Sequence, residues 1–330
     1  MSVAELRSTR ATVRSGYLDP TAPAAVQIEP GDTVRYLDTW THWGNEAVYG
    51  MSFADREPLR HRYPKGPYSM VGPVEIAGAA PGDVVECAVL DLRTIDWGWN
   101  SFPHGVGALP DDFAEPYVHY FRFDDARTGT DYTHGVRLPL RPMIGVLGVE
   151  PGGDEVSAIT AGPWGGNLVL PELGVGASVF LPVRRPRARV WLGDIHARQA
   201  EGVVDQTGIE TAAERIDIRY ALHRRVPLDA PLVETATHWV RFGFADSLDD
   251  ALVACLRGTI AWLAAVTDLS PSEAYALCSM AVDFRVTQYA NQTASAYSAT
   301  PPKTVHAMIP KDVFDSRASA AVGAWLRGGS

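Results

Sequence analysis

Short runs rich in Val, Ile, Thr and Tyr recur through residues 1–245, and turn residues separate them. Pro81-Gly82-Asp83 lies between the runs at 74–78 and 84–92, and the same tripeptide at 30–32 lies between two earlier runs. Pro, Gly and Asp favour tight turns, whereas β-branched and aromatic residues favour strands. The repeated pattern therefore constrains this part of the chain to many short strands.

Further runs of this kind predict strands at 11–18, 118–123, 136–140, 144–149, 178–183, 188–192, 202–207, 215–223 and 238–244. No long amphipathic helix interrupts them, which is typical of a β-sandwich or a β-barrel. After these runs the apolar spacing becomes helical from Ser247 onward. A capping box at Ser270 predicts a second helix that extends to about Phe284, and a short third helix is predicted after Pro310.

These patterns predict one domain, 1–330, with a mainly β fold. We expect 1–245 to form a sandwich-like or barrel-like β core and 246–330 to form C-terminal α-helices packed on it. With 330 residues, of which 46% are hydrophobic and 21% charged, the chain is long enough to bury a sizeable core without disulfides. No Gly-rich or Ser-rich linker separates the helices from the strands.

Charge and segment length limit the partners of the chain. The net charge of −10 argues against nucleic acid. The most apolar long segment, 251–266, contains Arg257 and is too short to span a bilayer, and the N-terminal residues do not resemble a signal peptide. Cys87, Cys255 and Cys278 have no CxxC spacing, which indicates buried thiols in a reducing compartment. We therefore expect a cytoplasmic protein without membrane partners.

Asp194 and His196 are the strongest candidates for chemistry. They follow the predicted strand at 188–192, and Gly193 predicts a break, so that we expect both side chains on a loop. A carboxylate and an imidazole bind divalent metals or act as an acid–base pair. Asp38, which follows an earlier strand, is the carboxylate that would complete the catalytic and metal-binding set. The alternative is that Asp194 caps a turn and His196 is a structural histidine.

Two further loops combine tryptophan and histidine. Paired tryptophans often line a pocket, because each ring buries a large area and keeps one polar donor. The alternative is that these rings only pack on the sheet. No GxSxG, P-loop, HExxH or dinucleotide-binding GxGxxG pattern is present, which argues against a serine hydrolase or a nucleotide enzyme. The candidate substrate-binding residues are Trp40, His42, Trp43, Trp99, His104, Asn167 and Gln199.

Several blocks of the sequence, in the same order and over nearly its whole length, resemble the acetamidase/formamidase family. The segment 72–84 is similar to G-P-[IV]-x-[IV]-x-G-A-x-P-G-D-x-L, and 193–203 is similar to G-D-G-H-A-x-Q-G-D-G-E. Other similar blocks lie at 141–149, 165–167, 275–288 and 305–311. This resemblance implies a mostly β fold with C-terminal helices, hydrolysis of small amides to acid and ammonia, a divalent metal, and often a dimer.

The active-site block is only partly kept. Asp194 and His196 match it, but Val203 stands where the family has Glu, and Val169 stands where it has Asp. Valine neither accepts a proton nor binds a metal. The chain thus resembles a divergent member of the family.

Two interpretations follow. In the first, the chain is a hydrolase of a non-peptide C–N (amide) bond in a small substrate larger than formamide. Asp194 and His196 activate water, a divalent metal (zinc or calcium) binds between them and Asp38, and the protein is a homodimer. In the second, the fold serves a cyclase, lyase or isomerase of a specialised biosynthetic pathway, with Asp194 and His196 as acid–base residues without metal. A non-catalytic binding protein ranks below both.

Overall fold

Two large β-sheets face each other across the main hydrophobic core. The structure is a computed structural model that describes residues 2–113, 115–289 and 297–328. Within these residues the strands are β1 (Val3–Arg7), β2 (Val13–Ser15), β3 (Tyr17–Leu18), β4 (Val26–Ile28), β5 (Thr33–Leu37), β6 (Ser69–Ile76), β7 (Val84–Thr94), β8 (Trp97–Phe102), β9 (Tyr117–Arg122), β10 (Gly129–Asp131), β11 (Arg137–Pro139), β12 (Met143–Val149), β13 (Val156–Ser157), β14 (Ala161–Gly162), β15 (Gly165–Asn167), β16 (Ser178–Pro182), β17 (Arg189–Arg198), β18 (Ile209–Thr211), β19 (Ala213–His223), β20 (Leu232–Glu234), β21 (His238–Ala245), β22 (Asp283–Gln288) and β23 (Lys303–Pro310).

Helices are fewer and mostly C-terminal. In the same described residues they are the short turn α1 (His42–Asn45), α2 (Phe53–Arg62), α3 (Leu248–Val266), α4 (Pro271–Ala281), a 3₁₀ turn (Lys311–Val313) and α5 (Ser316–Leu326).

The first sheet has nine strands in the order β1-β5-β19-β7-β16-β20-β21-β23-β22. The second has ten strands: β14-β15-β12-β17-β18-β8-β9 form its main path, and β6 joins β2 and β4 to β17. The order of each sheet brings together strands that are far apart in sequence. β17 pairs with β12 on one side, and with β6 and then β18 on the other, so it is central to the second sheet.

Alternating side chains of both sheets fill the space between them. In the first sheet, Val85, Cys87 and Val89 of β7 point into this core, and in the second, Val190 and Leu192 of β17 meet them. Successive residues of a strand point to opposite faces, so this alternation makes one apolar face on each sheet. The predicted mainly β sandwich is confirmed.

The outer face of the nine-stranded sheet carries a second core. Phe180, Trp239 and Ala307 of the sheet pack in one cluster with Cys255 of α3 and Cys278 of α4. The C-terminal helices therefore lie on the β core as predicted. All three cysteines are buried free thiols, also as predicted.

Several element boundaries differ from the prediction. β17 does not end at Gly193 but continues to Arg198, and 202–207 is not a strand. The predicted helix at Ser270 ends at Ala281, after which the chain forms β22. Short apolar runs do not distinguish a helix from a strand by periodicity alone, and sheet pairing decided these cases.

Within the described residues, no single helix is long and apolar enough to cross a membrane. The pair α3 and α4 meets that criterion together by length and composition only, and the two helices are bent by 119° at the break between them.

The capping box of α4 provides a test of how local chemistry stabilises this fold. The Ser270 hydroxyl accepts a hydrogen bond from the Glu273 amide, and the Glu273 carboxylate accepts one from the Ser270 amide. Ser270→Ala should lower the free energy of unfolding by about 1 kcal/mol, measured by urea denaturation. Ser272→Ala, an exposed change in the first turn of the same helix, should change it by less than about 0.5 kcal/mol. Equal effects would contradict the role of the cap.

Candidate active site

Four ionisable side chains meet in the interior of the ten-stranded sheet region. Asp194 and His196 come from β17, Glu210 comes from the neighbouring strand β18, and His42 comes from α1. Each of the four residues is at most 6% exposed. Burying charged groups is costly unless they are paired, so a buried group of this kind is a candidate for chemistry or for binding a cation.

The two imidazoles and the two carboxylates alternate around a common centre. Nε2 of His42 lies 3.1 Å from Oδ1 of Asp194 and 3.3 Å from Oε2 of Glu210. Nε2 of His196 lies 3.1 Å from Oδ2 of Asp194 and 3.0 Å from the same Glu210 oxygen. Each imidazole therefore faces both carboxylates with the same ring nitrogen.

Strand register explains how three of these side chains meet. Asp194 and His196 are two positions apart in one strand, and His196 pairs directly with Glu210 across the β17–β18 ladder. Asp194 has a φ of +57°, a conformation that is uncommon for a residue with a side chain and that often marks a functional position. The opposite strand accommodates Asp194 with Gly145, where a Cβ would overlap the Asp194 carboxylate and lie 2.8 Å from its carbonyl oxygen.

A tight turn brings His42 to the group. Trp43 has a φ of +55°, and the hydroxyl of Ser69 on β6 donates a hydrogen bond to the carbonyl of Thr41. The Thr41 hydroxyl donates to the carbonyl of Ala47, which closes the turn. The loop is thus tied to the second sheet, and the His42 ring is held against β17.

The electrostatics favour charged forms of this group. Burial opposes charge on His42, but its hydrogen bonds with Asp194 and Glu210 outweigh burial and raise its pKa. Burial likewise opposes charge on His196, and the attraction of the two carboxylates raises its pKa well above the usual value. Burial would raise the pKa of Glu210, but the charge of His196 holds it well below its usual range. The group can therefore hold or exchange protons without contact with bulk water.

Aromatic rings surround His42. Trp43, Tyr68 and Trp99 contact its ring edge to face, with centroid separations of 5.0 to 5.8 Å. A cavity of about 20 Å³ lies beside His42 and Glu210 and has these rings in its wall. This is enough for about one water molecule, so an amide needs side chains to move when it binds.

The structure places other predicted residues away from the group. The Asp38 side chain is 69% exposed and forms a surface ion pair with Arg7, so its proposed part in catalysis and metal binding is corrected. A φ of +52° at Asp38 turns the chain after β5 and leaves its carboxylate at the surface. Trp40 packs against the main core, and His104 is exposed in the wall of a different cavity.

Two predicted substrate-binding amides are buried and bond to the main chain. Asn167 donates to the carbonyl of Ile159, and Gln199 donates to the carbonyl of Val169. Gln199 also lines a cavity of about 300 Å³ that has Gly208 in its wall. Their predicted binding role stays a prediction.

Glu210 is the site residue that sequence reasoning missed, and His42 was expected only to contact substrate. The signal for Glu210 was a lone carboxylate inside the apolar run Ile209 to Ala213. A buried acid in such a run needs a partner. The sequence predicts a strand at 202–207 instead of 209–211, and this prediction does not place Glu210 opposite His196 in the sheet.

The chain is similar in sequence to proteins of one known family. The model of the Acetamidase/Formamidase family matches residues 14–161. A putative formamidase of Schizosaccharomyces pombe is 25% identical over 261 residues, which cover 61% of this chain and 62% of that protein. The match thus spans less than two thirds of that relative.

Two solved structures are similar over almost the full chain. An acetamidase from Bacillus halodurans superposes with a TM-score of 0.83 at 27% identity, covering 94% of this chain and 98% of that one. An acetamidase from Yersinia enterocolitica gives a TM-score of 0.80 at 26% identity, covering 94% and 92%.

Gly145 provides a test of how the opposing strand positions Asp194. Gly145→Ala should lower the free energy of unfolding by about 1–3 kcal/mol, because the added methyl group overlaps the Asp194 carboxylate in a packed interior. Gly153→Ala is the control: its Cβ would meet nothing within 4 Å, and the change should stay within about 0.5 kcal/mol. Urea denaturation measures both. Unchanged stability in Gly145→Ala would show that the strands separate easily at this point.

Proposed function

This chain belongs to the acetamidase/formamidase family, and from that premise we propose that it hydrolyses the C–N bond of small amides. The reaction adds water to R-CONH₂ and yields a carboxylate and ammonium. The observation that carries the proposal is the buried group of two imidazoles and two carboxylates. The homodimer, the cytoplasmic location and a specialised pathway stay predictions.

We propose that His42, Asp194 and Glu210 are the residues that hold a divalent metal. One ligand atom from each lies within 4.8 Å of the others, and all three side chains are buried. One imidazole nitrogen with two carboxylates suits zinc, whereas calcium prefers oxygen ligands only. A bound divalent cation lowers the pKa of water and polarises a carbonyl group. In this proposed set, His42 and Glu210 replace Asp38 and His196 of the predicted ligands.

His196 is the residue that we propose to move the proton. Its Nε2 lies within 3.1 Å of carboxylate oxygens of both Asp194 and Glu210, and these stabilise the ring when it is protonated. With the ring in its neutral form, this nitrogen would take a proton from the attacking water, the two carboxylates would stabilise the imidazolium that forms, and the ring would pass the proton to the departing nitrogen. A positioned imidazole with a carboxylate partner is a frequent arrangement for this role.

The alternative of a recruited cyclase, lyase or isomerase has less support. It depended on the missing carboxylates at Val169 and Val203. Glu210 supplies a buried carboxylate to the group, and this supports hydrolysis over the alternative.

The proton-transfer role predicts a loss of turnover. His196→Asn should lower kcat for ammonia release from formamide or acetamide by about 10²- to 10⁴-fold, because the side chain that exchanges the proton is removed. The control is Asp38→Asn, which removes an exposed carboxylate outside the group and should leave kcat within about twofold. Similar kcat values for His196→Asn and the unmodified protein would rule out this role.

The ligand set predicts metal binding that depends on Glu210. Titration calorimetry of the chelator-treated protein should give about one equivalent of zinc, and Glu210→Gln should weaken the affinity by at least about 10-fold. Asp38→Asn should bind zinc with the affinity of the unmodified protein. Equal weakening by both substitutions, or no binding by the unmodified protein, would contradict the proposed ligand set.

A further inference from the structure

Arg60 lies between the candidate active site and a larger, open cavity. It belongs to the last turn of α2, and the residue is only 8% exposed. On its inner side it lines the 20 Å³ cavity together with His42 and Glu210. On its outer side it lines a cavity of about 600 Å³ that also contains His104 in its wall. One molecule that reaches inward from the open cavity would therefore contact Arg60 and the group in turn.

The guanidinium of Arg60 is weakly satisfied for a buried cation. Its Nε has no hydrogen-bond partner within the described part of the chain. The acid nearest to it there is Glu57, which lies 3.9 Å away and whose side chain is 52% exposed. The Phe53 ring, 5.4 Å from the guanidinium carbon, covers it without accepting a strong hydrogen bond. Desolvating a donor of this kind is costly, so a bound acceptor would be favoured.

Arg56, one helical turn earlier, shows the contrast. Its guanidinium donates to the hydroxyls of Tyr120 and Ser101 and lies over the Trp99 ring. The guanidinium of Arg56 is thus already bonded to residues that surround the Trp99 ring. For Arg60, by contrast, Nε lacks a partner in the described part of the chain, and the acid beside it is a half-exposed glutamate at 3.9 Å.

We propose that Arg60 binds a carboxylate group of the substrate, so that the preferred substrates are amides that also carry a carboxylate. The inference rests on the proposed amide hydrolysis. A guanidinium presents two parallel N–H donors that match a carboxylate. The small cavity has aromatic rings and uncharged polar side chains in its wall, which suit the uncharged amide end of the substrate. The scissile amide then lies beside His42 and Glu210, and the carboxylate lies at Arg60.

The test compares two amides of the same length. Succinamic acid carries a carboxylate where butyramide carries a methyl group. We expect kcat/KM of the unmodified protein to be at least about 10-fold higher for succinamate, because a hydrogen bond between charged groups contributes this much. Arg60→Gln should lower the ratio of the two kcat/KM values by about 10- to 100-fold. Arg60→Lys keeps the charge but loses the paired donors, and should lower the ratio by a smaller factor.

The matched control is Arg62→Gln. Arg62 lies two residues further along α2, its side chain is 58% exposed, and it pairs with Glu46 at the surface. The control removes the same charge without touching either cavity, and the ratio should stay within about twofold. If the circular dichroism of Arg60→Gln shows that it does not fold, Arg60→Lys takes its place in the test. A lower ratio of the two kcat/KM values in Arg60→Lys then supports the carboxylate site, and an unchanged ratio overturns it.

The outcomes separate this inference from the proposed function. Hydrolysis of both amides with equal kcat/KM, or a preference that Arg60→Gln leaves unchanged, overturns the carboxylate site and leaves amide hydrolysis standing. Ammonia release from neither amide overturns the proposed function. In that case calorimetry with succinate decides the inference: binding that weakens about 10-fold in Arg60→Gln supports it, and equal or absent binding overturns it.

Discussion

The burial of two carboxylates together with two imidazoles is the constraint on which the site depends. The four side chains are at most 6% exposed, so each is stabilised by partners inside the protein. His196 meets Asp194 and Glu210 at 3.1 and 3.0 Å, and His42 meets the same two residues from the other side. Loss of one partner would leave the others buried and unpaired, which couples the chemistry to the fold.

The sandwich explains how such a group is held in place. β17 is central in its sheet, with β12 on one side and β18 on the other, and its inner face belongs to the main core. The φ of +57° at Asp194 interrupts the alternation of β17, so that Leu192 and Ile195 both join the main core while Asp194 and His196 join the buried group. A slip of one residue would turn both away from Glu210, and it would also expose the apolar face of the strand. The packing that stabilises the main core therefore also holds Asp194 and His196 in position in the candidate site.

The sequence predicted the mainly β fold, the helices on its outer face and the α4 cap, because these depend on local periodicity and turn chemistry. It also identified Asp194 and His196, which are neighbours along the chain. It did not identify Glu210, because the link between Glu210 and His196 is a pairing of two strands that the local pattern did not align. The prediction that Asp38 belongs to the site is corrected for a related reason. A position next to the end of a strand does not determine whether the side chain points into the interior, and that of Asp38 lies at the surface.

The structure shows where Val203 lies, the residue at which the block 193–203 departs from the family's Glu. Val203 lines the 300 Å³ cavity with Gln199 and Gly208, and the buried group has its own carboxylate in Glu210. The Gly208 amide donates a hydrogen bond to Glu210 at 3.0 Å, so the cavity wall and the group share this short segment. Valine at position 203 makes that wall more apolar without removing any of the four paired side chains. The departure therefore affects the wall of the neighbouring cavity, whereas the proposed acid–base chemistry depends on the four side chains that are present.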